Sequence, residues 1–234
     1  MRALSRGDPR RLFLIDVPTV ELCNGVHMPQ VGLGSADAGV VRSALAAGYR
    51  GVELTGGLTG IPRHELFVVA RTSDNPRTLE LAGLDHVDLC LLDGPVDDFV
   101  QTWKAFEKFA ADGRTRAIGV SDFQIPHLRR LSEETGTVPA VNRVELRPGL
   151  LHSNLRAYHS EHGITTLAYH PLTVNSDIEF MAQKYGKTPA QIVVRWHLEL
   201  KHVVAVGPDV VDEALGVFDF ELAEDDVLSL SEVD

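Results

Sequence analysis

The sequence predicts an α/β fold of the TIM type: a (β/α)8 barrel with an N-terminal β-hairpin cap, with its second helix absent and its third helix shortened. Eight short apolar runs alternate with amphipathic stretches along 234 residues. Continuous apolar runs are typical of strands that are buried on both faces of a parallel sheet. The chain length is sufficient for one barrel. The eight runs are 30–34, 51–54, 66–71, 86–93, 116–121, 140–146, 165–170 and 203–207.

The hairpin is predicted before the first of these runs. Segments 20–22 and 26–28 flank Cys23-Asn24-Gly25, and an Asn-Gly pair is a strong hairpin signal. Residues 1–16 are interpreted as an N-terminal extension. Residues 17–234 are expected to form a single barrel domain.

Helical patterns separate most of the strands. Segments 38–49, 96–111, 127–135 and 155–161 are predicted helices, and Thr188-Pro189 marks the start of another, as a cap followed by proline at the first helical position. Residues 55–65 are too few for a helix with two loops, and residues 72–85 leave room only for a short helix near 76–83. These two gaps predict the absent second helix and the shortened third.

Composition bounds the function classes. The formal net charge of -11 argues against nucleic acid or an anionic membrane surface as the main partner. Cys23 and Cys90 are far apart, so neither a disulfide framework nor a zinc site is expected. No stretch approaches the length of a membrane span, and the short apolar run near residue 12 is too short for a signal peptide. The protein is expected to be cytoplasmic and to hold no metal.

Several stretches then resemble the aldo-keto reductase family, in the family's order. They are VELCNGVHMPQVGLG (20–34), IPRHELFVVAR (61–71), GLDHVDLCLLDGP (83–95), TWKAFEKFAADGRTRAIGVSDF (102–123), VPAVNRVELRP (138–148) and GKTPAQIVVRWHLEL (186–200). The resemblance implies the barrel fold. It also implies reduction of carbonyl compounds with NADPH through an Asp, a Tyr proton donor, a Lys and a His at the barrel mouth.

The chain departs from this pattern at all four positions. The Asp position holds Glu53, the Tyr position falls at Leu58 or Thr59, the Lys position holds Arg71 and the His position holds Asp93. Neither Leu58 nor Thr59 is a phenol. An arginine stays protonated and is a poor proton shuttle. The four changes predict that the reductase chemistry is lost.

The cofactor contacts that the resemblance implies are altered as well. Ser121 is retained, but Asp122 replaces an Asn and Arg143 replaces a Gln. The loop after strand seven is short, and a Gly-Pro pair replaces the Lys-Ser pair that binds the 2′-phosphate. The residues that follow are acidic: Asp209, Asp212 and Glu213. Phosphate binding requires fixed donors and positive charge, so no cofactor is expected, with NADP as the alternative.

The polar residues at strand ends form the predicted site. In a barrel of this type, the carboxyl ends of the strands meet at the active-site mouth. The predicted catalytic residues are Glu53, Arg71, Asp93 and His170, and the predicted substrate-binding residues are Ser121, Asp122, Arg143 and Tyr169. The alternative for the charged residues is an ion network that only keeps the mouth folded, and the alternative for Tyr169 is packing.

Three functions remain open at this point. The first is a cofactor-independent enzyme that dehydrates, isomerises or cyclises a small organic substrate, as in specialised metabolism. The second is a non-catalytic pseudoenzyme that binds a ligand or a partner. The third is an atypical NADP-dependent oxidoreductase. A small-molecule ligand is the expected partner, and a homodimer could form through the barrel wall that the missing helix leaves bare.

Overall fold

The computed structural model describes residues 17–34, 38–53, 62–78 and 83–232. It confirms the predicted fold. The strands are β1 (Thr19–Glu21), β2 (His27–Pro29), β3 (Val31–Leu33), β4 (Gly51–Glu53), β5 (Phe67–Thr72), β6 (Val87–Asp93), β7 (Thr115–Ser121), β8 (Val141–Glu145), β9 (Thr165–Tyr169) and β10 (Val203–Val206). Eight parallel strands close into a barrel in the order β10-β3-β4-β5-β6-β7-β8-β9, and a separate antiparallel pair, β1-β2, precedes them.

Helices surround the barrel. They are α1 (Ala38–Ala47), α2 (Phe99–Ala111), α3 (Ile125–Thr135), α4 (Ser153–His162), α5 (Ser176–Tyr185), α6 (Pro189–Glu199) and α7 (Glu224–Ser231). Helices α5 and α7 had no counterpart among the helical segments predicted from the sequence. None of the helices in the described ranges is long and apolar enough to cross a membrane.

The described parts of the connections before and after β5 contain only short turns, as predicted. Before β5 the described residues form a single 3-10 turn, Arg63–Glu65, and after β5 they form another, Pro76–Thr78. Residues 54–61 and 79–82 lie outside the described residues, as does the predicted extension 1–16. The boundary between extension and barrel therefore stays a prediction.

The hairpin closes the amino-terminal end of the barrel. Leu22, Val26 and Met28 are all buried, and they cluster with inward-facing strand residues such as Phe67 and Leu89. Apolar side chains thus fill the barrel interior at its amino-terminal end. The polar residues that carry chemistry are left at the opposite end, where the strands finish.

The larger core lies between the strands and the helices. Trp103, Phe106 and Phe109, three residues apart on α2, have exposed fractions of 0%, 0% and 1%. These rings pack with the outward-facing residues of the barrel in one cluster. The core therefore fixes the frame on which the strand ends are held.

Candidate active site

Adjacent strand ends place the predicted site residues next to one another. Asp93 on β6 pairs in register with Ser121 on β7, and Ser121 pairs with Arg143 on β8. Glu53 and Arg71 lie at the ends of the two strands before β6. Because parallel neighbours finish at the same edge, these five side chains share the mouth of the barrel.

Arg71 is held between two carboxylates. Its Nε donates to Glu53 Oε1 at 2.7 Å, and its Nη1 donates to both carboxylate oxygens of Asp93 at 2.9 Å. Burial lowers the pKa of Arg71, but the hydrogen bonds and charges of Glu53 and Asp93 outweigh it, and the net pKa is raised. The guanidinium is therefore a fixed positive charge. Its Nη2 has no hydrogen-bond partner within the described ranges.

Arg143 and Tyr169 form a second pair beside Arg71. The Cζ of Arg143 lies 3.9 Å from the centre of the Tyr169 ring, a cation-π contact. Burial, and then the charge of Arg71, lowers the pKa of Arg143. The Nη2 of Arg143 is 4.0 Å from Glu53 Oε2, too far for a hydrogen bond. Its buried Nε has no hydrogen-bond partner in the described structure, so this guanidinium is under-satisfied.

Asp122 connects the phenol to the serine. The Tyr169 hydroxyl donates to Asp122 Oδ1 at 3.1 Å, and Ser121 Oγ donates to Asp122 Oδ2 at 3.2 Å. Burial and the nearby Asp122 carboxylate raise the pKa of Tyr169, so the phenol stays protonated and is a weak acid. Asp122 and His170 have positive φ, at 60° and 44°, which is uncommon away from glycine and is often found at functional sites.

These residues face a cavity of about 630 Å³ at the strand ends. Among the predicted site residues, Arg71, Asp93, Asp122, Arg143, Tyr169 and His170 line it. Glu53 and Ser121 do not line it directly: both are buried, and they hold Arg71 and Asp122 from behind. Leu58 and Thr59 lie outside the described residues. No group of three metal-binding side chains occurs within the described ranges.

One wall of this cavity, called the far wall, is formed by residues that were not among the predicted site residues. Gly34, Leu172, Gly207, Pro208 and Asp209 line it, after strands β3, β9 and β10. The acidic character of residue 209 was recognised from the sequence, but its place on the cavity wall was not. The available signal was the Gly-Pro-Asp sequence directly after the last barrel strand.

Comparisons with known proteins agree with one another. Residues 74–174 match the family model of the aldo/keto reductase family. An aldo-keto reductase of Mycolicibacterium smegmatis is 37% identical over 257 aligned positions, covering 93% of this chain and 94% of that protein. The methylglyoxal reductase DkgA of Escherichia coli K12 is 34% identical and covers 93% of this chain and 94% of its own length. The alignment of 257 positions is longer than the 234 residues here, as expected for a shortened member.

Solved structures give the same answer. An aldo/keto reductase from Brucella melitensis superposes with a TM-score of 0.84 at 32% identity, covering 93% of this chain and 100% of that chain. A mutant of Gox0644 in complex with NADPH superposes with a TM-score of 0.83 at 31% identity, covering 92% and 93%.

These comparisons overturn the expectation of a cofactor-independent lyase, isomerase or cyclase, or of a pseudo-reductase without a cofactor. The relatives are reductases, and one of the superposed structures holds NADPH. The expectation was wrong because it rested on individual changed side chains at the catalytic and cofactor-contacting positions. In the structure, the strand ends, the cavity and the aromatic and serine contacts at the mouth are all in place.

The nicotinamide end of a dinucleotide fits the residues that are present. Tyr169 offers an aromatic face at the cavity and Ser121 a hydroxyl behind it, while the under-satisfied Arg143 can donate to an amide oxygen. The far wall is different, since it is acidic and carries no lysine or arginine among the lining residues there. Taken together, the closed eight-stranded barrel, the polar mouth and relatives up to 37% identical over nearly the full chain show that this chain belongs to the aldo/keto reductase family.

Proposed function

We propose that this chain is an atypical oxidoreductase that reduces small carbonyl compounds with a nicotinamide dinucleotide. The observation that supports it is Arg71, a cavity-lining guanidinium that two carboxylates hold in place. The relatives include methylglyoxal reductases, which makes small dicarbonyl compounds the first substrates to test. The dinucleotide, when bound, supplies the hydride.

Arg71 would stabilise the oxygen of the carbonyl group. Its Nη2 is not used by Glu53 or Asp93, so its hydrogen atoms are available to a substrate oxygen. A donor that is already oriented stabilises developing negative charge without reorganising during the reaction. Glu53 and Asp93 act as positioning residues in this proposal, because they hold the guanidinium in place.

His170 would supply the proton. It lines the cavity and is exposed, and histidine is the side chain whose ordinary pKa lies nearest neutrality. Tyr169 is less suited to this role, since its hydroxyl is bonded to Asp122 and its pKa is raised. Tyr169, Ser121 and Arg143 would instead hold the nicotinamide end.

The experiment compares Arg71→Gln and Arg71→Lys with the unchanged protein. We measure the oxidation of NADH and of NADPH with methylglyoxal and a panel of small aldehydes. Loss of an oriented oxyanion donor costs about 10²–10³ in kcat, so Arg71→Gln should lose that much, and Arg71→Lys should recover only part of it. Arg130→Gln, on the exposed face of α3, is the control and should match the parent. Full activity in Arg71→Gln would contradict the proposal.

A second measurement tests His170. In the His170→Gln variant kcat should fall, because the acid that supplies the proton is gone, and the decrease of kcat with rising pH that a histidine acid gives the parent should disappear. The comparison is kcat against pH for the parent and the variant. An unchanged profile would show that the proton comes from another group.

A further inference from the structure

A second cavity lies at the amino-terminal end of the barrel, away from the mouth. It has a volume of about 560 Å³, and its lining includes Ser153, Arg156 and Ser160 on one face of α4, residues 163–166 and residues 200–202; we call it the α4–α6 groove. Residues 163–166 lead into β9, and residues 200–202 lead from α6 into β10. None of the residues that line this groove lines the cavity at the strand ends, so the two are separate sites.

Arg156 brings a positive charge to the α4–α6 groove without a counter-ion. Its Nε donates to the carbonyl oxygen of Leu151 at 2.7 Å, which holds the guanidinium, whereas neither Nη atom has a hydrogen-bond or ion-pair partner among the described residues. Burial lowers the pKa of Arg156, and no carboxylate in the described ranges lies close enough to raise it again. A partly buried charge without a partner is costly, so an anion that entered the groove would gain a well-placed partner.

Lys201 adds a second positive charge to the same groove. It is exposed, and its ammonium group forms no ion pair with any residue that the structure describes. Its φ is 59°, the left-handed conformation that usually favours glycine directly after a helix. Glu21, an exposed residue of β1, is the one carboxylate among the lining residues. Positive charge therefore exceeds negative charge in the groove.

Uncharged donors complete the lining. The hydroxyls of Ser153 and Ser160 form no hydrogen bond with a described residue. His202 is only 4% exposed; its Nδ1 is 3.2 Å from His197 Nδ1, and its Nε2 has no hydrogen-bond partner in the described structure. Burial, and then the charge of Arg156, lowers the pKa of His202 to about 3, so the ring is neutral. When His197 is the donor of the pair, His202 carries its proton on Nε2 and can donate it to a ligand.

We infer that the α4–α6 groove binds a phosphorylated small molecule. A phosphate monoester offers three acceptor oxygens and between one and a half and about two negative charges, which suit a guanidinium, an ammonium and several neutral donors better than the two oxygens of a carboxylate would. In a chain with a formal net charge of -11, an excess of positive charge is particular to this groove and is not a general property of the surface. The inference is independent of the proposed function, because no lining residue takes part in that reaction.

The test is isothermal titration of the full-length protein at constant ionic strength near neutral pH. The probes are inorganic phosphate, glycerol phosphate as a monoester, and acetate as an anion of different geometry. Both phosphates should bind and acetate should bind more weakly. Arg156→Gln should weaken phosphate binding about tenfold or more, because a charge-assisted contact is lost. Arg130→Gln, which removes an exposed arginine on α3, is the control and should bind as the parent does.

Lys201→Gly separates loss of binding from loss of folding. Glycine adopts a positive φ without strain, so this variant should keep or raise the free energy of unfolding, measured by urea denaturation. It should nevertheless bind both phosphates more weakly than the parent, because one of the two positive charges is gone. Unchanged phosphate affinity in Lys201→Gly and in Arg156→Gln would overturn the inference.

The other outcomes are equally decisive. If neither phosphate binds, the groove is not an anion site and the inference fails. If Arg71→Gln abolishes phosphate binding and Arg156→Gln does not, the anion binds at the barrel mouth, which also overturns it. If acetate binds as tightly as the phosphates, or inorganic phosphate binds and the monoester does not, the proposed ligand class is wrong.

Discussion

At the scale of single residues, Arg71 shows why a charge-preserving replacement can alter chemistry. A lysine has one nitrogen and can lose a proton, whereas a guanidinium offers several N–H donors in a plane and keeps its charge. Here Nε donates to Glu53 and Nη1 donates to Asp93. These bonds hold the planar guanidinium in one orientation, and Nη2 is therefore held in one orientation too. The positive charge has become a fixed hydrogen-bond donor.

Gly119 on β7 carries a stability prediction. A Cβ at this position would lie 2.6 Å from the Val141 carbonyl oxygen and 2.8 Å from Leu91 Cδ2. Gly119→Ala should therefore force β7 and β8 apart and lower the free energy of unfolding by about 1–3 kcal/mol. Urea unfolding followed by circular dichroism measures it, with Ser43→Ala on the exposed face of α1 as the control. Equal urea midpoints for Gly119→Ala and the parent would contradict this prediction and show that β7 and β8 accommodate the added methyl group without loss of stability.

How much of the site could be predicted depends on the kind of contact. The ends of buried strands are visible in the sequence, so the grouping of Glu53, Arg71 and Asp93 was predicted, and the structure shows the ion pairs between them. The stacking of Arg143 on Tyr169 was not predictable, since it depends on side-chain conformations across two strands.

At the scale of elements, helix α6 shows a start that the sequence specifies. Thr188 Oγ1 accepts from the Gln191 backbone N–H at 3.2 Å, and Gln191 Oε1 accepts from the Thr188 N–H at 3.1 Å, a reciprocal capping box. The Gln191 Nε2 also donates to the Glu213 carbonyl oxygen at 3.1 Å. The cap thus connects α6 to the acidic segment after β10.

Removing this cap gives a prediction with a conservative control. Thr188→Ala should lower the free energy of unfolding by about 0.5–2 kcal/mol, because a backbone N–H at the start of α6 loses its acceptor. Thr188→Ser keeps the hydroxyl and should stay close to the parent. Thermal unfolding of the three proteins checks this. If Thr188→Ser loses as much stability as Thr188→Ala, the methyl group rather than the hydroxyl would be the stabilising part.

Elements differ in how clearly the sequence marks them. Helix α2 was predicted because its aromatic residues repeat at helical spacing and α2 buries that face. Helix α7 was missed, since only Asp226 and Leu230 are buried, which leaves little apolar face to recognise in the sequence. The catalytic class was also predicted wrongly, because a motif comparison scores residues one by one, whereas the cavity is a property of all the strand ends together.

At the scale of the whole molecule, buried histidines link stability to pH. His159 and His202 are buried, and burial lowers their pKa to about 4 and about 3; burial also lowers the pKa of His197. The Nδ1 atoms of His197 and His202 are 3.2 Å apart. All three are neutral in the folded protein at physiological pH.

The sign of the pH dependence follows from these shifts. In the unfolded chain the three histidines bind protons below pH about 6.5, and in the folded protein they do not. Stability should therefore be complete above pH 6.5 and fall as the pH drops toward 4 and 3. Urea midpoints between pH 7 and pH 5 test it, a window above the titration of ordinary carboxylates. The slope should be smaller in His202→Gln and unchanged in His64→Gln, an exposed control.

A homodimer through the wall beside the shortened connections stays a prediction. The described exposed large apolar residues are Val174, Phe180 and Leu228, which lie on or near α5 and α7 rather than beside β4 and β5. Light scattering coupled to size-exclusion chromatography measures the mass directly. A mass near 51 kDa, twice the 25.6 kDa of the chain, would support the dimer, and a mass near 25.6 kDa at all concentrations would contradict it.

The hairpin β1-β2 determines at which end of the barrel a ligand can enter and leave the cavity. Its buried residues Leu22, Val26 and Met28 close the amino-terminal end of the barrel. A molecule therefore enters and leaves the cavity at the carboxyl ends of the strands. In the proposed reaction the dinucleotide and the carbonyl compound would share this entrance, so the molecule that lies deeper would bind first and leave last. The order of binding would thus follow from the hairpin at the opposite end of the barrel.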